Sequence, residues 1–81
     1  MIKIRIKLFS HIKYELGKEE ITMEFENGAT TDDVVKEIHQ RGGEKIKSLP
    51  FRVAVNQEFI SSSCTLSNND EVAIIPPVQG G

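Results

Sequence analysis

Residues 2–9 read IKIRIKLF, and the alternation is strict up to Leu8. Ile2, Ile4, Ile6 and Leu8 fall on one side, Lys3, Arg5 and Lys7 on the other. A period of two over that length is the pattern of a strand with one buried face, and a helical period near 3.6 would mix the two sets of side chains. Such a strand needs neighbours for its backbone and a layer over its apolar face. In an 81-residue chain both must come from a single domain, because there is no length for a second core. The expected object is one small sheet with one side covered.

The rest of the chain supplies the parts. SHIKYELG follows, with Ser10 placed to cap a short helical turn and Gly17 to end it. ITMEF alternates again, with Ile21, Met23 and Phe25 inward, and Asn27-Gly28 is a turn signal because both residues tolerate positive φ. In TTDDVVKEIHQRGG, Thr30 is the expected N-cap and Asp33 completes a variant capping box. Asp32 and Asp33 also complement the positive end of the helix dipole. Val34, Val35 and Ile38 form the buried stripe, and Gly42-Gly43 ends the helix after Arg41, which predicts a helix over 31–41.

EKIKSLP reads as irregular, with Ser48-Leu49-Pro50 extended ahead of the next strand. FRVAVN then sets Phe51, Val53 and Val55 against Arg52, Ala54 and Asn56, and Asn56-Gln57 reads as a tight hairpin into a short strand, EFI. Leu66 is the expected plug of the core, and SNND turns the chain into EVAII. Pro76-Pro77 ends that last strand, since proline donates no ladder hydrogen bond.

A hairpin, a helix and returning strands in this order predict an α+β roll: a mixed sheet of about five strands with one main helix across it. The crossover sets the last strand beside the first and parallel to it, the ubiquitin-like or β-grasp arrangement. Residues 1–75 are the expected β-grasp domain and 76–81 an extended C-terminal tail.

Composition narrows the function by exclusion. A net charge of −2 gives no general attraction to nucleic acid or membrane surfaces. The stripe Lys3, Arg5, Lys7 reads first as a solvated face and second as a docking surface for an acidic partner. Without interleaved aromatics it is a poor nucleic-acid surface. Cys64 is the single cysteine, so no internal disulfide framework is available, which suits a reducing compartment. The alternating N-terminus lacks a signal peptide's continuous apolar centre, and the apolar run VAII (Val72 to Ile75) is far too short for a membrane span. The expected localisation is cytoplasmic, with no membrane partner.

Side-chain chemistry is sparse. His11 and His39, the only histidines, each fall on a predicted helix and read as surface or packing residues. Cys64, beside three serines, reads as a loop or partly buried thiol, and no Cys/His spacing suits a metal. Asp32 and Asp33 are explained by the helix start they occupy. Gly42-Gly43 follows a helix instead of opening one, the wrong end for a phosphate. No catalytic side-chain constellation and no metal site is expected.

That leaves PPVQGG. Pro76-Pro77 presets an extended spacer, Val78 and Gln79 follow, and Gly80-Gly81 ends the sequence. Six extended residues reach about 20 Å, and glycine lets backbone enter a channel too narrow for a Cβ. A carboxylate on Gly81 can be activated by ATP as an acyl-adenylate and then take a sulfur or amine nucleophile. The bland alternative is an inert, frayed end.

The stretch VAVNQEFI…LSNNDEVAIIPPVQGG resembles the small subunit of molybdopterin synthase, the MoaD type of the MoaD/ThiS ubiquitin-like sulfur carrier family. The resemblance runs across nearly the whole chain and includes IKIRIKLFS, GATTDDVVKEI, VAVNQ and DEVAIIPPV. One departure is SNND, where that family commonly has Asp-Gly-Asp; Asn68 and Asn69 tolerate the left-handed backbone that glycine would supply.

The resemblance implies a β-grasp sulfur carrier with no side-chain catalysis and no cofactor of its own. A ubiquitin-activating-like adenylyltransferase would use ATP to adenylate Gly81, and a persulfide sulfur source would convert it to a thiocarboxylate. The tail Pro76, Pro77, Val78, Gln79, Gly80, Gly81 would insert into the large subunit of molybdopterin synthase. There it would donate sulfur to the precursor pterin (cyclic pyranopterin monophosphate), forming the dithiolene of molybdopterin. The chain would thus be the sulfur-donating subunit of a sulfurtransferase complex. By position on the last strand, Ala73 and Ile75 are expected at the partner interface. Phe59 is a further candidate that reads equally well as core. The rival within the same chemistry is a carrier for thiamin thiazole synthesis or a ubiquitin-like protein modifier. The rival outside it is a non-catalytic β-grasp interaction module with an inert tail.

Overall fold

The computed structural model describes residues 1–47 and 51–76. Strand β1 (Ile2–Leu8) keeps the alternation: Ile2, Ile4, Ile6 and Leu8 are buried, while Lys3 and Arg5 are exposed. It pairs antiparallel with β2 (Glu20–Phe25), Ile2 opposite Phe25 and Ile6 opposite Ile21. Its other edge takes β5 (Glu71–Ile75) in parallel, with Ile6 opposite Val72 and Leu8 opposite Ile74. β3 (Arg52–Val55) joins β5 antiparallel, and β4 (Glu58–Phe59) closes the order β2-β1-β5-β3-β4. The central parallel pair requires a crossover, which includes helix α2 (Thr31–Lys47). The β-grasp roll expected from the pattern is the fold observed.

Inward side chains of the three inner strands meet one stripe of each helix. Ile4, Ile6, Val72 and Ile74 from the sheet are fully buried with Ile12 of α1 (Ser10–Leu16), Val34 and Ile38 of α2. Leu66 plugs the rim as expected, at 4 % exposure, held by its N–H donating to the Ala29 carbonyl at 2.8 Å. Each such aliphatic contributes about 1.5–3 kcal/mol on burial.

The helix starts differ from expectation in detail. Ser10 does not cap α1: Phe9 stands at the N-cap with extended backbone, and no side chain satisfies the first turn. Ser10 is already the first helical residue, at φ 55, so its hydroxyl is not where a cap's would be. Gly17 does end the helix, in the left-handed conformation with its N–H on the Lys13 carbonyl. At α2 only the return half of the capping box forms, with the Thr30 N–H donating to Asp33 Oδ2 at 2.8 Å. The Thr30 hydroxyl lies 3.3 Å from that same oxygen, and the Asp33 N–H takes the Thr30 carbonyl instead.

Gly43 breaks α2 with φ 69 and ψ −157, which places the predicted end within two residues. The helix then resumes to Lys47, so the first part of EKIKSLP is helical, contrary to the irregular segment expected. Its residues carry no breaker after Gly43 until Pro50, and local helix propensity decides the conformation. Ser48-Leu49-Pro50 lies outside the described residues.

His39 is a packing residue, as expected, with one loose end. Its ring meets Phe51 edge to face at 5.4 Å, and its buried Nε2 has no hydrogen-bond partner among the described residues. An orphaned buried polar atom costs stability. His39→Phe keeps the aromatic contact and removes the orphan, and should raise the unfolding free energy by about 1 kcal/mol. The thermal midpoint would then rise by roughly 4–8 °C, and a lower midpoint would show that Nε2 has a partner.

Candidate functional site

The two helices cover one face of the sheet and leave the other open. On that outer face β2 sets Glu20, Thr22 and Glu24, β1 sets Lys3, Arg5 and Lys7, and β5 sets Glu71, Ala73 and Ile75. β3 adds Arg52 and Ala54, and β4 adds Phe59, directly opposite Ala54. The face therefore divides into a charged half on β2 and β1 and an apolar half on β5, β3 and β4.

The apolar half has a floor and a rim. Ala54 and Ala73 are paired across β3 and β5 and are 4 % and 7 % exposed. Ala73 points outward as its position in the strand implies, but it is buried, because longer neighbours such as Lys7 flank a side chain of one carbon. It is floor, not a contact that reaches outward. Ile75 is half-buried at the end of β5, opposite Arg52. Phe59 resolves the alternative left by its sequence: it is not core, with 55 % of its surface exposed. The Arg52 guanidinium stacks over its ring at 4.3 Å.

The basic stripe is only partly a solvated face. Glu71, nearly buried, lies 3.7 Å from Arg5 and 3.4 Å from Lys7, so one carboxylate is shared by two of the three cations. Sequence reasoning missed Glu71, although the alternation of EVAII and the parallel pairing with β1 together place it there. Phe9, 42 % exposed just past β1, was also missed. Lys13 and Glu19 form a close surface pair at 2.9 Å beside it. Their mutual hydrogen bond and charge hold the Lys13 ammonium above its ordinary pKa and the Glu19 carboxylate below its own. The Glu19 contribution is present above the ordinary carboxylate range and is lost on acidification, but both groups are exposed and solvent screening keeps it small.

Other sequence candidates take structural roles. The Cys64 N–H donates to the buried Thr31 Oγ1 at 3.1 Å and its carbonyl accepts from the Thr31 N–H at 3.0 Å, pinning the loop to the start of α2. Its thiol is half-buried and faces the Ser62 carbonyl at 3.5 Å. Asp32 and Asp33 occupy the first turn of α2. Among the described residues no group of three or more His, Cys, Asp or Glu could hold a metal, and no helix is long and apolar enough to cross a membrane. An exposed aromatic, a half-buried aliphatic and a stacked cation around two alanines suit protein docking more than chemistry.

β5 delivers the chain from this face into the tail. It is the central strand, and at its exit Ile75 lies beside Arg52 of β3. Pro76, the first residue of the expected tail, is buried. Pro77, Val78, Gln79, Gly80 and Gly81 lie outside the described residues.

Comparison with known proteins places these features in a family. The model of the ThiS family matches residues 6–81. A molybdopterin synthase sulfur carrier subunit of Chlamydomonas reinhardtii is 34% identical, over 99% of this chain and 100% of the relative. That of Arabidopsis thaliana is 29% identical, over 99% of this chain and 84% of the relative. Among solved structures, a Pyrococcus furiosus protein described as a candidate molybdopterin converting factor subunit 1 superposes with a TM-score of 0.85. It is 28% identical, with 96% of this chain and 100% of that one covered.

Proposed function

Because this chain belongs to the ThiS family, we propose that it is a sulfur carrier, the small sulfur-donating subunit of a molybdopterin synthase. The observation that carries the reading is the end-to-end similarity to named sulfur carrier subunits of that enzyme. In this reading Gly81 provides the only reactive group. An ATP-dependent adenylyltransferase converts its carboxylate to an acyl-adenylate, which makes AMP the leaving group for an incoming sulfur. The outer sulfur of a persulfide displaces AMP to give an acyl disulfide. A second thiol on the donor then cleaves its S–S bond, leaving the donor as a disulfide and Gly81 as a thiocarboxylate, the nucleophile that attacks the precursor pterin.

The division of labour follows from the chain's own residues. The domain holds the tail by its central strand and offers the outer face for docking, with Ile75 and Phe59 on the rim and Ala73 in the floor. Pro76 fixes the exit of the tail, Pro77 stiffens it, Val78 and Gln79 extend it, and Gly80 keeps its tip slim. The ATP site, the persulfide source and the catalytic side chains belong to the partners: the adenylyltransferase and the synthase large subunit. All of this takes place in the cytoplasm.

The test is the intact mass of the chain after incubation with the adenylyltransferase, ATP and a persulfide donor. The expected product has one oxygen replaced by sulfur at the C-terminus and yields molybdopterin when the large subunit and precursor are added. An unchanged mass would remove the carrier reading. A thiocarboxylate that supports thiazole formation but not molybdopterin would move the chain to the thiamin pathway.

A further inference from the structure

Arg52 differs from Arg5 and Lys7 on the outer face. Arg5 and Lys7 are within ion-pair distance of Glu71, whereas among the described residues Arg52 has no carboxylate within that distance. Among the described residues its one side-chain contact is with the ring of Phe59, 4.3 Å from the guanidinium carbon. Both residues stand on the outer face, Phe59 opposite Ala54 and Arg52 two positions along the same strand, a diagonal cross-strand contact. A guanidinium set over an aromatic face can still offer N–H donors of its planar fork to a further acceptor. Arg52 also sits opposite Ile75, the last residue of β5, at the root of the tail.

We propose that the Arg52–Phe59 pair is the ionic anchor of the docking face, and that it takes an aspartate or glutamate carboxylate set in an apolar surface of the partner. Charge fixes the sign of that partner group. The outer face carries Lys3, Arg5, Lys7 and Arg52 against Glu20, Glu24 and Glu71, an excess of one positive charge, and Glu20 and Glu24 lie on β2, at the far edge from Arg52. Geometry fixes its kind: a planar fork held by an aromatic matches the two oxygens of a carboxylate. The surroundings decide how much it counts. Phe59, Ala54, Ala73 and Ile75 would exclude water from the pair once a partner surface closes over them, which is where charged hydrogen bonds strengthen. Because Arg52 adjoins the tail, the same contact would set the direction in which the tail enters the partner. The inference rests on the sulfur carrier reading, and the partner it concerns is the synthase large subunit.

The experiment measures binding of the full-length chain to that large subunit by calorimetry, across a range of salt concentrations. Arg52→Ala should weaken binding at least about 30-fold and Arg52→Glu further, by the loss typical of one partner of a desolvated charge pair. Arg52→Lys should recover only part of the loss, since an ammonium keeps the charge but not the fork or the stack. The salt dependence of the affinity should flatten in Arg52→Ala. Thermal unfolding controls for folding, and an exposed side chain should leave the midpoint nearly unchanged. Wild-type binding with an Arg52→Glu variant of equal affinity would overturn the anchor while leaving the carrier reading intact. A wild-type chain that does not bind the large subunit would overturn both.

Discussion

Deletion of Gly81, or addition of one residue after it, should abolish thiocarboxylate formation while leaving the domain folded. The described residues end at Pro76, which is buried, and the buried core cluster among them ends earlier, at Ile74. Five residues follow Pro76 in the sequence, and Gly81 is the last of them. Its carboxylate, however, is the only atom group that the proposed chemistry uses. Adding a residue moves that carboxylate by one residue's length, about 3.3–3.6 Å, and catalytic steps that depend on placement fall steeply over such a displacement. A new terminal side chain would also widen the tip. The two variants should have wild-type melting curves, no sulfur-for-oxygen exchange by mass, and no molybdopterin formed with the large subunit. Normal sulfur loading of either variant would place the reactive group elsewhere and end the carrier proposal in its present form.

Most of the fold was legible in the sequence because its strands announce themselves by period two. Ile2, Ile4, Ile6 and Leu8 can be sorted only one way, and so can Val53 and Val55 against Arg52 and Ala54. The turn at Asn56-Gln57 was legible for a related reason: both residues adopt positive φ, at 49 and 70, and a two-residue loop between paired strands favours that geometry. Ser10 was misread because a serine before a helical pattern looks like a cap whatever its backbone does. The extension of α2 past Gly43 was missed because a pair of glycines signals an end, and the residues beyond can start a second turn independently.

The candidate site was legible in parts. Alternation assigned Ala73 and Ile75 to the outer face, but exposure depends on what stands beside a side chain, and Ala73 is flanked by longer residues from another strand. The Glu71 cluster and the Arg52–Phe59 stack are cross-strand facts. They follow from register, which a single strand's pattern does not contain. Even the exposure of Phe59, on a strand of two residues, required knowing that β4 is the sheet's edge. Helix α2 could be read from its own stripe, whereas the outer face exists only once four strands are aligned.

Adjacent residues of β5 should separate stability from docking. Ile74 is fully buried between Leu8 of β1 and Val53 of β3 on the core face. Ile74→Ala removes three carbons there and leaves a cavity, which should cost about 2–5 kcal/mol. A domain of this length has about 4–12 kcal/mol in total, so the variant should unfold at much lower urea and approach global instability. Ile75 is on the opposite face and half-exposed. Ile75→Lys should change stability by less than about 1 kcal/mol, since the long side chain can reach solvent. It should nevertheless weaken large-subunit binding at least about 10-fold, because a charge would enter an apolar contact. Urea unfolding and calorimetry on both variants give four numbers with opposite order. If Ile75→Lys binds like the wild type, the rim of the docking face does not extend to the end of β5. If Ile74→Ala is no less stable than Ile75→Lys, the two faces of the strand have been assigned the wrong way round.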